Sequence, residues 1–192
     1  DDAPALFVGT IINRNVSDGT DPATGLDDVR ALAQAIDERR VAHACASFVA
    51  VRVGGIAEIN STHGYEAGNG ALMQLADRML SRMGEGGKLY RSYGLQFVAM
   101  LDDCDEGSVE RLAGAFREAL AAPVHVQGLG IALPVALATL RCDSVSAQPL
   151  SILSQINRLV DARVRAIAEA RPEHRSFMCL AENSVTCANT TD

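Results

Sequence analysis

The stretch KLYRSYGLQFVAML, Lys88–Leu101, lies near the middle of the chain and decides how the rest is arranged. Leu89–Arg91 and Gln96–Met100 predict two short strands, the second with the alternation of a hairpin arm. Gly94 predicts the tight turn between them, because it adopts backbone dihedrals that other residues avoid. A hairpin in mid-chain is a natural place for a site. Its tip, Tyr93–Gln96, nevertheless holds no acid, base or nucleophile.

Length, composition and charge exclude several classes of protein. The chain of 192 residues fits about one domain with short flanks, and 48% hydrophobic residues supply a real core. No apolar run approaches the roughly 20 residues of a membrane-spanning helix. The net charge of −7 argues against nucleic-acid and anionic-membrane partners, which favour a basic face. Without a starting Met or a signal-like segment, we expect a cytoplasmic piece of a longer protein.

The residue types that bind metals show no spacing typical of a metal centre. His43 and Cys45 are two positions apart, and this pair on its own is too little to form a metal site. The cysteines are odd in number and form no CxxC pair, which favours reduced thiols over a disulfide framework or a zinc site. They are Cys45, Cys104, Cys142, Cys179 and Cys187. We therefore expect neither a zinc site nor a disulfide framework.

Helical and strand periodicities alternate along the middle of the chain. They predict a helix over 27–40, a strand over 46–53, a helix over 68–83, the hairpin over 89–100, a helix from 102–105 to Pro123, one or two strands within 124–140, and a helix over 150–170. Pro134 predicts an edge strand or a bulge. This order gives a ferredoxin-like βαββαβ sandwich of the mixed α/β (α+β) class, with helices covering a central antiparallel sheet.

The two ends of the chain predict segments outside this domain. Ala5–Asn13 is an apolar, β-branched stretch that predicts a strand, and Arg14–Thr20 predicts a linker. A strand without a partner suggests that residues 1–20 are the end of an upstream domain. Residues 172–192 are polar and rich in Asn and Thr, and they fit either a C-terminal tail or the start of a following segment.

Four motifs, in order and in register, resemble those of one family. DPATGL at Asp21–Leu26 resembles the DxLTGL opening of GGDEF domains, the diguanylate cyclase family. INSTHGYEAGNGAL at Ile59–Leu72 is similar to the family's IND-x-x-GH-x-x-GD-x-x-L segment. RSYGLQFV at Arg91–Val98 stands where the family has RxGGDEFV, and Leu159–Arg163 resembles LYxAK. The resemblance covers residues 21–171 and implies a nucleotidyl-cyclase-like fold. The leading strand resembles the end of a PAS-type sensory domain.

The resemblance implies a chemistry that the residues of this chain do not support. The family joins two GTP molecules into cyclic di-GMP at the interface of two domains, with two Mg²⁺ ions held by acids. The metal-binding aspartate at the end of the first strand falls on Arg52. The second acid there falls on Gly54, and a nearby lysine on Ala57.

The hairpin motif loses its acids in the same way. Tyr93 replaces the first glycine of GGDEF, while Gly94 is kept. Leu95 and Gln96 replace the acids, and Phe97 keeps the phenylalanine. A glutamine carries no charge and can act neither as a base nor as an anionic metal ligand. The resemblance therefore implies a degenerate motif with no catalytic residue, no metal and no cofactor.

The family's phosphate contacts and its inhibitory site are also altered. The late lysine falls on Arg163, but its arginine partner falls on Ile167. The inhibitory RxxD site would lie at Gly84 and Gly87, so it is absent.

Part of the guanine pocket is retained. The asparagine that reads the base falls on Asn60, and its aspartate partner falls on Asn69. Because Asn69 accepts only through its carbonyl, we expect a weakened preference for guanine. Asparagines are also common turn formers, so their retention alone does not establish binding.

Two further positions allow more than one interpretation. The tip of the hairpin fits an exposed turn without function, or an apolar contact for a partner through Tyr93 and Leu95. Arg52 fits a strand-end arginine paired with a local acid, or a guanidinium that replaces the metal and holds a phosphate.

Three functions follow from these expectations. The first is a catalytically inactive GGDEF domain that serves as a regulatory or interaction module in a cyclic di-GMP-related protein, through neighbouring domains or a second copy of itself. The second is a vestigial GTP-binding domain that controls a neighbouring domain, with GTP and Mg²⁺ present only if residual binding survives. The third is an active cyclase, against which the lost acids argue.

Overall fold

The computed structural model describes residues 19–169 and the backbone of residues 185–186. Its elements follow in chain order: α1 Val29–Val41, β1 Ala46–Val53, α2 Ile56–His63, α3 Tyr65–Leu80, β2 Gly87–Arg91, β3 Gln96–Leu101, α4 Glu106–Ala121, β4 Val124–Val126, β5 Leu129–Ile131, β6 Val135–Cys142, α5 Pro149–Glu169 and β7 Val185–Thr186. The predicted strand over Ala5–Asn13 lies outside the described residues. Among those described, no helix combines the length and apolarity that crossing a membrane requires.

The predicted antiparallel sheet is confirmed, and its strand order places β1 in the middle. The order is β2-β3-β1-β6-β7, and β1 is antiparallel to both β3 and β6. Strands β4 and β5 form a separate two-stranded hairpin. Near the end of β1, Arg52 pairs with Gln96 of β3 on one side and Ala136 of β6 on the other. The sheet therefore brings the two altered motif positions together.

Helices cover both faces of the sheet and divide the core in two. Alternate residues of β1 point to opposite faces, as a pleated strand requires. Val49 and Val51 pack in the cluster that includes residues of α3 and α4. Phe48 and Ala50 pack in the cluster that includes residues of α1 and α5. The burial of β1 on both sides explains why its sequence is nearly continuously apolar.

The bounds predicted for the second helix are wrong. Sequence periodicity places one helix over 68–83, whereas the structure has α2 before it and begins α3 at Tyr65. Both helices start after glycines in unusual backbone conformations, Gly55 with φ 79° and Gly64 with φ 87°. Neither glycine offers a side-chain cap. The usual Ser, Thr, Asp or Asn start signal is therefore missing at both positions.

The interpretation of Pro134 as a residue inside an edge or bulged strand is also wrong. Pro134 comes immediately before β6, which pairs with β1 over its whole length. Its carbonyl accepts a hydrogen bond from the Gly54 N–H at 2.8 Å. Because proline lacks only the donor, it can start a strand that uses its acceptor.

The flanks of the predicted domain take part in the structure where they are described. Thr20, placed by sequence in a linker, forms a bridge with Asp27. The Gly19 carbonyl accepts a hydrogen bond from the Asp28 N–H at 2.6 Å. In the C-terminal segment, Val185 and Thr186 pair with β6 in parallel.

Candidate functional site

The hairpin tip has the predicted turn but is only partly exposed. Gly94 has a φ of 56°, as the turn prediction requires, and Tyr93 is 52% exposed. Leu95 is partly buried against the core, and its carbonyl accepts from the Val53 N–H at 2.9 Å. The expectation of a solvent-exposed turn is wrong for Gln96, which is 1% exposed.

The buried Gln96 side chain bonds to Arg52 on the neighbouring strand. The Arg52 Nη2 donates to the Gln96 Oε1 at 2.6 Å. This bond joins residues that face each other in the β1–β3 register. Two of the positions at which the resemblance places acids thus hold a cation and a neutral amide that bond to each other.

Helix α5, which packs on one face of the sheet, supplies two further partners for Gln96 and Arg52. The Gln96 Nε2 donates to the Asn157 Oδ1 at 2.9 Å, and Arg52 forms an ion pair with Asp161. Asn157 and Asp161 are four positions apart, so they share one side of α5. Sequence reasoning missed both as site residues, although this helical spacing beside inward-facing apolar residues was a usable signal. We call Arg52, Gln96, Asn157 and Asp161 the polar network.

The buried Arg91 side chain contacts the hairpin and holds it in place. It is 7% exposed, and its guanidinium carbon lies 4.6 Å from the centre of the Phe97 ring. Its Nη1 donates to the Gln96 carbonyl at 3.1 Å, and its Nε lies 3.9 Å from an Asp21 carboxylate oxygen. Burial lowers the pKa of Arg91, with the nearby Asp21 charge acting in the opposite direction. This arginine ties the DPATGL turn to the hairpin.

Asn60 lies in a tight pocket against α3. Its Oδ1 is buried and has no hydrogen-bond partner among the described residues. A Cβ atom on Gly68 would stand 1.8 Å from this oxygen, so only glycine leaves room for the amide as it is placed. Asn69, by contrast, is exposed on α3. An unpaired buried acceptor is costly, and a donor from outside would relieve it.

The end of α5 borders an apolar cavity of about 440 Å³. Arg52 is the charged residue of its lining, and Ile167 stands where the resemblance assigns a phosphate-contacting arginine. Arg163 lies partly buried on the same helix but does not line this cavity. Of the four candidate residues Arg52, Asn60, Asn69 and Arg163, this cavity is therefore lined by Arg52 alone.

The second acidic position of the family has no space for an acid here. Gly54 stands there, and a Cβ atom on it would lie 2.9 Å from the Pro134 Cγ. Such a separation is shorter than real Cβ contacts, so Pro134 would have to move. The backbone bond between Gly54 and Pro134 holds the two segments at this distance.

These residues do not fit a pair of Mg²⁺ ions. Mg²⁺ requires oxygen ligands, chiefly carboxylates, in octahedral geometry. The position of the strand-end acid holds the Arg52 guanidinium, and the Gln96 oxygen is already bonded to it. Within residues 19–169, no group of three or more His, Cys, Asp or Glu side chains is placed to hold a metal ion.

Known proteins with similar sequences point to one family. The family model described as "Diguanylate cyclase, GGDEF domain" matches residues 19–161. A curated relative from Streptomyces ambofaciens, an uncharacterised 19.3 kDa protein from the region 5′ of repSA, is 26% identical over 162 residues. That alignment covers 84% of this chain and 85% of the relative.

Solved structures share the fold. The diguanylate cyclase SiaD of Pseudomonas aeruginosa, solved with its activator SiaC, has a TM-score of 0.70 at 17% identity, covering 77% of this chain but only 58% of SiaD. The FimX GGDEF domain of Pseudomonas aeruginosa scores 0.63 at 18% identity, with 89% and 100% covered. The DgcB coiled coil and GGDEF domain of Caulobacter crescentus, bound to c-di-GMP, scores 0.66 at 13% identity, with 88% and 85% covered.

The sequence motifs and the fold agree with the family model, which matches most of the chain. The chain therefore belongs to the GGDEF domain family of diguanylate cyclases.

Proposed function

We propose that this domain is a catalytically inactive GGDEF-type domain that acts as a regulatory or interaction module in a cyclic di-GMP-related multidomain protein. The observation that carries the proposal is the polar network. Arg52 places a positive charge where a metal cation would have to bind, and Asp161 neutralises it from α5. A divalent cation at this position would meet a guanidinium already paired with Asp161 and would find no carboxylate ligand on residue 52.

The rest of the network supports the same proposal. Gln96 already uses its carbonyl oxygen with Arg52 and its amide N–H with Asn157. A ligand at this position would have to break these bonds and leave buried polar groups unpaired. Electrostatic stabilisation is usually the largest catalytic term, and a single such group is worth on the order of 100- to 1000-fold in rate. The domain therefore keeps the fold of the family but lacks this electrostatic stabilisation.

Titration of purified protein with GTP tests the proposal. We expect Mg²⁺ not to tighten the binding of GTP, because Arg52 and Gln96 offer no carboxylate to hold the ion. Isothermal titration with and without Mg²⁺ measures this directly. Tightening of GTP binding by tenfold or more on addition of Mg²⁺ would contradict an inactive site.

A second function is a GTP-binding regulator, favoured by the unpaired Oδ1 of Asn60. A guanine base offers N–H donors that this buried acceptor lacks. In that case Asn60→Ala abolishes the Mg²⁺-independent heat, while the control Ser61→Ala on the exposed side of α2 retains it. If wild-type protein gives no heat at high GTP concentration, the plain interaction module is supported.

The proposed partners are neighbouring domains of the same chain and a second copy of this domain. SiaD has been solved with its activator SiaC, a protein partner of a GGDEF-containing chain. Size-exclusion chromatography with light scattering separates the two routes for this chain. A mass near twice 20.3 kDa supports signalling by pairing, and a mass near 20.3 kDa supports contact with neighbouring domains.

A further inference from the structure

Three cysteines from distant parts of the chain meet at the start of β1, away from the polar network. Cys45 immediately precedes β1, and Cys142 ends β6 opposite Ala46. Cys104 lies in the loop after β3. Because β1 is antiparallel to both β3 and β6, its first residues lie beside the ends of those strands. The topology of the sheet therefore gathers the three thiols.

The contacts among these residues distinguish one pair. The Cys45 thiol donates to the Asp102 carbonyl at 3.5 Å, and the Cys104 thiol donates to the Cys142 carbonyl at 3.3 Å. The loop after β3 thus contacts Cys45 through Asp102 and reaches Cys142 through Cys104. Both are partly exposed, whereas Cys142 is buried. Cys45 and Cys104, which lie beside neighbouring strand ends, are thus the thiols of this cluster that a small reagent can reach.

We propose that Cys45 and Cys104 are a modification site that forms a reversible disulfide with a small-molecule disulfide as oxidant. The Cys45 sulfur already lies 3.5 Å from the carbonyl two residues before Cys104, so joining the two thiols requires little backbone movement. One reversible pair among the described residues differs from a structural disulfide framework, against which the cysteine spacing argues. Reversible pairs of this kind are found even where structural disulfides are rare.

The exchange proceeds in two balanced steps. The Cys45 sulfur attacks one sulfur of the reagent, forming a mixed disulfide and releasing one small thiol that takes up the proton lost by Cys45. The Cys104 sulfur then attacks the Cys45 sulfur, breaks the mixed bond and releases the second small thiol, which takes up the Cys104 proton. Two protein thiols are oxidised, and one small disulfide is reduced to two thiols.

The surroundings of the pair determine which sulfur attacks first. Burial, reinforced by the hydrogen bond with Cys45, raises the pKa of the Cys104 thiol to about 12. Cys104 therefore remains a thiol near neutral pH, and thiolate is the nucleophile in this exchange. The first attack falls to Cys45. Once Cys45 carries the mixed disulfide, its thiol no longer opposes ionisation of Cys104.

The disulfide would link two segments that already interact. Arg39, in the last turn of α1, forms an ion pair with Asp102 in the loop that contains Cys104. Closing a long loop between Cys45 and Cys104 reduces the entropy of the unfolded chain. We expect the oxidised protein to melt about 5 to 10 °C higher than the reduced protein.

Peptide mapping after treatment with oxidised glutathione tests the proposal. Free thiols of the full chain are alkylated, the protein is digested without reduction, and cross-linked peptides are identified by mass spectrometry. We expect the Cys45 peptide joined to the Cys104 peptide, lost again on adding dithiothreitol. Cross-links confined to other cysteines, or glutathione adducts that never resolve, would overturn the proposal.

Variants separate this pair from the third thiol. We expect Cys45→Ser and Cys104→Ser each to lose the cross-link and the rise in melting temperature. The control Cys142→Ser should retain both, because the buried Cys142 takes no part in the exchange. A cross-link that persists in Cys104→Ser but disappears in Cys142→Ser would assign the disulfide to a different pair. The wild-type map decides the question even if a variant fails to fold.

Discussion

At position 52 one side chain reverses the charge of the site. Arg52 donates to Gln96 and forms an ion pair with Asp161, so its own charge is satisfied within the domain. Arg52 is 30% exposed and Asp161 49%, so solvent screens the pair and its net contribution to stability is modest. Its consequence is chemical: residue 52 offers a metal cation no carboxylate ligand, and its own charge is already paired.

At Gly68 the absence of a side chain preserves the placement of Asn60. Alanine is the better helix former, and at the open position Gly70 of the same helix we expect Gly→Ala to stabilise by about 1 kcal/mol. At Gly68 the added methyl group displaces the Asn60 amide. We therefore expect Gly68→Ala to be less stable than Gly70→Ala by about 1 to 2 kcal/mol.

Denaturant unfolding of the two glycine variants measures this difference. Gly70→Ala is the matched control, because it makes the same change in the same helix where nothing lies within 4 Å. Equal stabilisation of the two variants would show that Asn60 moves aside without cost.

At Asp28 a carboxylate caps the start of α1. Burial would raise its pKa, but hydrogen bonds from the Arg30 side chain and from the N–H groups of Arg30 and Ala31 bring it below the ordinary 3.8. A lowered native pKa stabilises the fold above pH 3.8, and this contribution is lost as the pH falls through the native value. We expect Asp28→Ala to cost about 1 kcal/mol at pH 7.

Unfolding experiments across a pH series check the cap. The gap between wild type and Asp28→Ala should be constant from pH 7 to about 5 and narrow below pH 3.8. Asp28→Asn, which keeps a capping oxygen without the charge, should lie between the two at pH 7 and show less pH dependence. A gap that widens in acid would assign the opposite role to Asp28.

At the scale of elements, α5 determines the state of the site. Its apolar residues Leu153, Ile156 and Val160 are buried against the sheet. Asn157 and Asp161 lie beside this apolar stripe and reach the ends of β1 and β3. The same helix therefore packs the core and closes the polar network. A shift of α5 would therefore disrupt both the packing of the core and the polar network.

Removal of the Asn157 amide tests this coupling. Gln96 is fully buried, so Asn157→Ala leaves its N–H without the acceptor at 2.9 Å. We expect a loss of about 1 to 3 kcal/mol in the free energy of unfolding. Ser154→Ala, on the exposed side of α5, is the control and should change stability by less than about 0.5 kcal/mol.

Equal effects of these two changes, measured by chemical denaturation, would mean that the bond between Gln96 and Asn157 is not maintained in solution. A second arm, Asp161→Ala, removes a more exposed partner. We expect it to cost less than Asn157→Ala, at about 0 to 1 kcal/mol, because exposed ion pairs contribute little.

At the scale of the whole molecule, local sequence signals predict most of the fold. The hairpin, β1, α1 and α5 appear close to their predicted bounds, because each has strong periodicity and a recognisable turn or cap. Helix α2 escapes prediction because it is short and begins after Gly55, without a capping side chain. The start of β6 after Pro134 depends on pairing with β1, which a single sequence does not display.

The candidate site, like the fold, can be predicted only in part from the sequence. The replaced acids at Arg52 and Gln96 can be read from aligned motifs, since they depend on sequence register alone. Their bonds to Asn157 and Asp161 join residues far apart in the chain, so they appear only once the helix packs on the sheet. The core residues that define the fold are separate from these four. The fold can therefore persist after the chemistry is lost.

Product formation from GTP tests the central claim most directly. Purified protein is incubated with GTP and Mg²⁺, with EDTA in a parallel reaction and an active cyclase as the positive control, and cyclic di-GMP is quantified by chromatography. We expect no product above the protein-free blank, because Arg52 and Gln96 cannot provide the charge that two metal-binding acids would. Mg²⁺-dependent accumulation of cyclic di-GMP that EDTA abolishes would contradict the account.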